Sequence, residues 1–162
     1  MSENKAKKKV TQIYAVLVAA LVLNFAPMHI LQIFGSILFI AAFIALYIYR
    51  ANSEKDDLVH NHMTFLIRTV WIASLLLGIG ILAAAALADH SSLENMMNDV
   101  MQTGIMPSHV EMQSLMLDYM RDNIGVLFLT LGPSLIYIIY RVGKGLTRAL
   151  KGYRMPNPKG WF

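Results

Sequence analysis

The residues best suited to chemistry in this chain are methionines and histidines. Seven of the eleven methionines, Met96, Met97, Met101, Met106, Met112, Met116 and Met120, fall in one polar segment, with His90 and His109 beside them. Thioether sulfur is a soft ligand suited to Cu(I), and imidazole binds copper as well. His90, His109, Met112 and Met116 are the candidate ligands of such a site. The same pattern has a plainer meaning. Met112, Met116 and Met120 recur at four-residue spacing, which is how a packed helix face reads, and methionine is a flexible filler at adaptable contact surfaces. No M-x-x-M or M-x-H series repeats tightly. The expected role of Met96, Met97, Met101, Met112, Met116 and Met120 is therefore contact with a partner, with Cu(I) handling as the alternative.

Other chemistry is thinner. His60 and His62 follow Asp56 and Asp57, but an H-x-H pair is short of a closed metal site. Structural or solvated histidines are expected there. No Ser/His/Asp set, helical H-E-x-x-H or phosphate loop is present. Gly143-x-Gly145 follows no strand pattern and is not a nucleotide loop. The absence of cysteine removes disulfides, thiolate metal sites and redox dithiols. No cofactor and no enzymatic activity are expected.

The elements that carry these residues are membrane helices. Of the 162 residues 56% are hydrophobic and 15% charged, against roughly 45–50% and 25% in soluble domains. The excess lies in long runs nearly free of charge. A bilayer core needs about 20 apolar residues per helix. The stretch from Val10 to Tyr49 carries no formal charge and suits two spans. Asn24, Pro27 and His29 sit in its middle, and proline disfavours helix at the residue before it. Spans at about 10–26 and 29–49 are predicted, with one long kinked helix as the competing reading. A third follows at about 64–88 and a fourth at about 123–140, with Gly132 and Pro133 as a kink point. The lysine-rich start resembles a signal peptide, but the apolar stretch is long and no A-x-A site closes it, so an uncleaved first helix is expected. The predicted fold is all-α: one polytopic domain, a bundle of four transmembrane helices.

Between the third and fourth spans, residues 89–122 read as two short amphipathic helices. Gly104 ends the first. The second opens with Ser108-x-x-Glu111, a capping box. After the fourth span, Arg141, Lys144, Arg148 and Lys151 fall within one sector of roughly 80° at helical spacing. That predicts a basic amphipathic tail lying against anionic headgroups, and adjacency to a span favours lipid over nucleic acid. Arg68 and Trp71 are placed at the interface, Arg68 snorkelling to headgroups or pairing with Asp56 or Asp57. Asn24 and Gln32 are expected to make interhelical hydrogen bonds. Gly78, Gly80 and Ala83 to Ala86 form a small-residue face suited to close helix packing.

Orientation follows from charge. Of the fourteen Lys and Arg residues only Arg121 lies within 89–122, which holds Asp89, Glu94, Asp99, Glu111, Asp118 and Asp122. The positive-inside bias puts both termini in the cytoplasm and the 89–122 loop in the periplasm. Tyr14, Tyr47, Tyr49, Trp71, Tyr137 and Tyr140 fall near span ends, where amphipathic rings sit.

Two short stretches resemble a family of small bacterial inner-membrane proteins distantly akin to the Tic-twenty-like group. In that family a cytoplasmic loop enters a helix through a histidine and an I-R-T-x-W run; here these are His62, Ile67, Arg68, Thr69 and Trp71. Its last helix leaves with I-Y-R-x-x-K-G, here Ile139, Tyr140, Arg141, Lys144 and Gly145, followed by a G-x-x-x-P tail from Gly152 to Pro156. The resemblance covers spans 2 to 4 and the tail. It implies a four-helix membrane fold and does not imply a catalytic activity, and the Met-rich loop departs from the family's short connection.

The functional expectation is a non-enzymatic inner-membrane protein: an accessory, scaffold or assembly subunit that contacts anionic lipid and other membrane subunits or itself, and no nucleic acid. The alternatives are a component of a small-solute or ion transporter or channel, and a periplasmic copper-handling protein. Spans without Asp or Glu argue against proton-driven transport.

Overall fold

Asn24 does end a helix. The computed structural model describes residues 3–161, and within them the first helix, α1, runs Glu3–Asn24 and the second, α2, His29–Ala51. The run is broken by a turn rather than a kink. Phe25 N–H and Ala26 N–H donate back to the carbonyls of Val22 and Leu23 at 3.1 and 3.2 Å. The two polar side chains expected to bridge helices secure this turn. Asn24 donates to the Ala20 carbonyl at 2.8 Å and accepts from Ser36 Oγ at 2.9 Å, and Gln32 donates to the Ala26 carbonyl at 2.9 Å. Gly35 lets α1 and α2 close up here, since a Cβ on it would come within 2.9 Å of Leu23 Cβ.

Helix α3 spans Leu58–Leu87, α4 Ser91–Thr103, α5 His109–Asp122 and α6 Ile124–Leu150. α3 starts ahead of the expected Thr64, and α6 continues unbroken past Tyr140 through Gly143 and Gly145. The two short helices α4 and α5 have the expected ends. Gly104 adopts φ 68° beyond α4, and α5 carries the full capping box: Ser108 N–H donates to Glu111 Oε2 at 2.7 Å and Glu111 N–H to Ser108 Oγ at 3.3 Å.

Three helices, α2, α3 and α6, are long and apolar enough to cross a membrane. α1 differs for a physical reason. Its apolar part lies between Lys9 and Asn24 and is about 21 Å long at 1.5 Å per residue, against a core of about 30 Å. Its buried positions Ala6, Val10, Ile13, Tyr14 and Leu17 trace one helical stripe that enters the core.

Contacts divide the chain into two compact units, Met1–Ala73 with Tyr137–Phe162, and Ser74–Ile136. The first unit has its core among α1, Ala42 and Leu46 of α2, Val59, Met63, Leu66 and Ile67 of α3, and Val142 and Ala149 of α6. The outer face of α2 is apolar, with Ile33, Ile37, Ile40, Ile44 and Ile48 all exposed, while Arg141, Tyr14, His62 and Thr69 are fully buried. An apolar helix face of this kind suits lipid as the surrounding medium. In the second unit Gly80 packs against the main-chain carbonyl of Thr130, so part of the small-residue face does serve close packing. Asn123 clamps the end of α3 to the start of α6: its Oδ1 accepts from Asp89 N–H at 2.7 Å and its Nδ2 donates to the Asp89 carbonyl at 3.0 Å.

Candidate functional site

The polar interior of the first unit is built by the start of α3 and, far along the sequence from it, the end of α6 with the residues that follow. The basic helix expected from Arg141 onward is the last part of α6, which stops at Leu150. Gly152 takes φ 75°, Gly152 N–H donates to the Ala149 carbonyl at 3.0 Å, and Tyr153 N–H to Arg148 at 2.9 Å. That is a Schellman stop, for which glycine in the left-handed region is suited. Residues 153–161 then fold back as a strap.

The strap is held by specific polar contacts and by its buried Met155 side chain. Asn61 on α3 donates to the Met155 carbonyl at 3.1 Å and accepts from Met155 N–H at 2.7 Å. His62 Nε2–H donates to the Tyr153 carbonyl at 2.9 Å. Its Nδ1 is then the acceptor for the Tyr14 hydroxyl at 3.1 Å, which fixes one neutral tautomer. Tyr137 donates to the Trp161 carbonyl at 2.9 Å.

Arg141 lies at the centre. Its Nε donates to Thr69 Oγ1 at 3.2 Å, and Thr69 donates onward to the Phe65 carbonyl at 2.8 Å. Its Nη1 donates to the Gly160 carbonyl at 3.0 Å. The guanidinium stacks 4.0 Å from the centre of the Phe65 ring, an arrangement that partly replaces lost hydration. Its Nη2 is buried without a partner, as is Nε of Arg68. Among the described residues one ion pair occurs, Arg154 with Asp56 at 3.7 Å. The interior charge is therefore positive and balanced by oxygens and rings, not by carboxylates. Such a centre can hold its own main chain in place or attract an anion. It offers no base with a free lone pair at His62, whose two ring nitrogens are both engaged.

The stretches from His62 to Trp71 and from Ile139 to Gly145 meet here. Thr69 of the first bonds Arg141 of the second. Gly145 of the second sits against the ring of Tyr14, the partner of His62: a Cβ there would run into the Tyr14 hydroxyl and come within 2.9 Å of Phe65.

The expected interface residues divide. Arg141, expected among headgroups, is buried, because a guanidinium that reaches two oxygens and a ring is better satisfied inside than an ammonium would be. Lys144, Arg148 and Lys151 do come together, lining a recess of about 390 Å³ with Thr147 and Tyr153. Trp71 is exposed, donates from Nε1 to the Tyr47 hydroxyl at 2.8 Å and packs edge-on to Phe43. Arg68 is half-buried and does not pair with Asp56, which Arg154 takes.

In the second unit α4 and α5 contain no buried residue. Met97, Met101, Met112, Met116 and Met120 are exposed and Met96 partly so. Among the candidate metal ligands, His90 is committed to protein: Nε2–H donates to the Ala85 carbonyl at 2.9 Å, and Nδ1 accepts from the Tyr119 hydroxyl at 3.3 Å, with the rings stacked. His109 is exposed at the start of α5. Sequence reasoning missed Asn61, Asn123, Tyr14 and the strap as organising groups. Asn and Gly-x-x-x-Pro at element boundaries were the available signal.

Set beside known families, curated proteins and solved structures, the chain matches none of them.

Proposed function

We propose that this chain is a non-enzymatic bacterial inner-membrane protein acting as an accessory or scaffold subunit of a larger membrane complex. The carrying observation is the α4–α5 pair. It lies outside the candidate spans, has no buried residue, and exposes Met97, Met101, Met112, Met116 and Met120. An apolar, deformable surface of this kind suits a protein partner. In this reading α1 is a short fourth membrane helix resting on α2, both termini are cytoplasmic, and α4–α5 is periplasmic. The convergence of basic segments supports that orientation. Lys9 of α1 stacks 4.0 Å over the Tyr49 ring at the end of α2, and Asn61 and His62 hold the strap to the same end of α3. The positive-inside bias then applies to all three segments together.

The test is purification of tagged protein from its native host in mild detergent, with the Met101→Gln and Met116→Gln double variant in parallel. A stoichiometric membrane partner that is lost from the variant is the expected result. A homo-oligomer with no partner, identical in both samples, would sink the accessory-subunit reading.

A further inference from the structure

We propose that the first unit holds a phosphate-binding site between the start of α3 and the strap. A cavity of about 540 Å³ lies there, lined by Arg50, Lys55, His60, Thr64, Arg154 and Lys159 among others, a volume in the usual range for small-ligand sites. No carboxylate lines it. Asp56 offsets only Arg154, through a long contact with its own carboxylate fully exposed. Four cations around one opening repel each other unless an anion joins them.

A second, independent observation points inward. Thr64 lines the cavity, is 6% exposed, and its Oγ1 is buried without any hydrogen-bond partner. A threonine inside a helix normally returns its hydroxyl to the carbonyl four residues earlier, as Thr69 does to Phe65 at 2.8 Å. Thr64 does not. A buried hydroxyl left unpaired is costly, and a ligand oxygen would satisfy it. The walls are set in advance. Asn61 holds the strap through two bonds to Met155, and His60 Nδ1–H donates to the Arg50 carbonyl at 3.1 Å. Arg68, one turn beyond Thr64 on α3, likewise has its Nε buried and unpartnered.

Guanidinium, ammonium and hydroxyl donors arriving from several directions fit the tetrahedral oxygens of a phosphate group. The source is either an anionic phospholipid headgroup, since α2 and α3 are candidate spans and the site lies at their joined ends, or a soluble phosphate.

The test uses the full chain in neutral detergent, with binding followed by titration calorimetry and native mass spectrometry. The probes are short-chain phosphatidylglycerol, short-chain phosphatidylcholine and inorganic phosphate. Two variants accompany the wild type. Thr64→Val removes the hydroxyl at constant shape, and Lys159→Ala removes an exposed strap charge without touching the core. Wild type is expected to bind one phosphate group per chain. Thr64→Val should weaken it about tenfold or more while raising the melting temperature of the ligand-free protein, and Lys159→Ala should weaken it roughly threefold. Binding of phosphatidylglycerol but not inorganic phosphate assigns the lipid headgroup. Binding of inorganic phosphate, alone or as well, assigns the phosphate group itself. Binding of none of the probes, or affinities that neither variant changes, overturns the site.

Discussion

Arg141 carries more of the first unit than any other residue. It joins α6 to Thr69 of α3 and to Gly160 of the strap, and its burial is tolerable because two oxygens and an aromatic face replace water. Lysine keeps the charge but lacks the planar fork that serves both oxygens at once. Arg141→Lys should therefore destabilise the protein by about 1–3 kcal/mol, the cost of leaving such donors and acceptors unmade, and release the strap. Limited proteolysis after Arg154 should accelerate in the variant. Unchanged cleavage would show that the strap is held without Arg141. Glycines give a sharper comparison. Gly80 meets the Thr130 main chain, whereas Gly78 has open space around it. Gly80→Ala should lower the thermal midpoint in detergent by an amount equivalent to about 1–3 kcal/mol, and Gly78→Ala should not lower it. These two positions look alike in the amino-acid sequence. They sit two apart in one small-residue run, and only the approach of α6 to one of them separates their roles.

At the scale of elements, α5 is the clearest case of local determination. Ser108 and Glu111 satisfy each other's main-chain N–H groups, as the S-x-x-E spacing predicts. Hydrogen bonding from Ser108 N–H holds the Glu111 carboxyl below its ordinary value of 4.5. The sign follows from that depression: the carboxylate supports the helix start above pH 4.5 and stops doing so as pH falls through its lowered value. Hydrogen exchange in the first turn of α5 should quicken on that descent. Glu111→Gln should remove the pH dependence and Ser108→Ala should speed exchange at all pH values. Asp89 is depressed in the same direction by Ser91 N–H, so the start of α4 should loosen in the same acid range. α6 shows the opposite kind of element. Its stripe of Arg141, Lys144, Arg148 and Lys151 has a single periodicity, yet Arg141 turns inward and the other three line a recess. Periodicity reports which residues share a face. It does not report where along that face a neighbouring helix ends and solvent or headgroups begin.

For the whole molecule, the distribution of charge sets up a prediction about sidedness. The chain has no cysteine, so a single introduced thiol is unambiguous. Gln102→Cys in α4 should react with a membrane-impermeant maleimide added to intact cells with a permeable outer membrane, and Asn52→Cys, beyond α2, should react only after lysis. The reverse pattern would invert the proposed orientation. Reactivity of both from outside would rule out three membrane crossings between α1 and the strap.

What the amino-acid sequence determined by itself is local or additive. Helical class, the break at Asn24 to Pro27, the capping box, the left-handed glycine after α4 and the apolar character of α2, α3 and α6 depend on residues within one or two turns, or on summed hydropathy over a window. Tertiary structure decided the rest. It made α1 a core helix through one stripe of small and apolar residues, where its short apolar length left the number of membrane spans open. It folded the residues after α6 back as a strap, because Gly152 N–H and Tyr153 N–H find carbonyls on the helix they leave while Asn61, His62 and Arg141 wait across sequence separations of 19 to 94 residues. It also left Thr64, which lines a basic cavity, with its Oγ1 buried and unpaired. A hydrogen bond between distant residues is set by where helices cross, and crossing positions depend on packing that no single segment encodes.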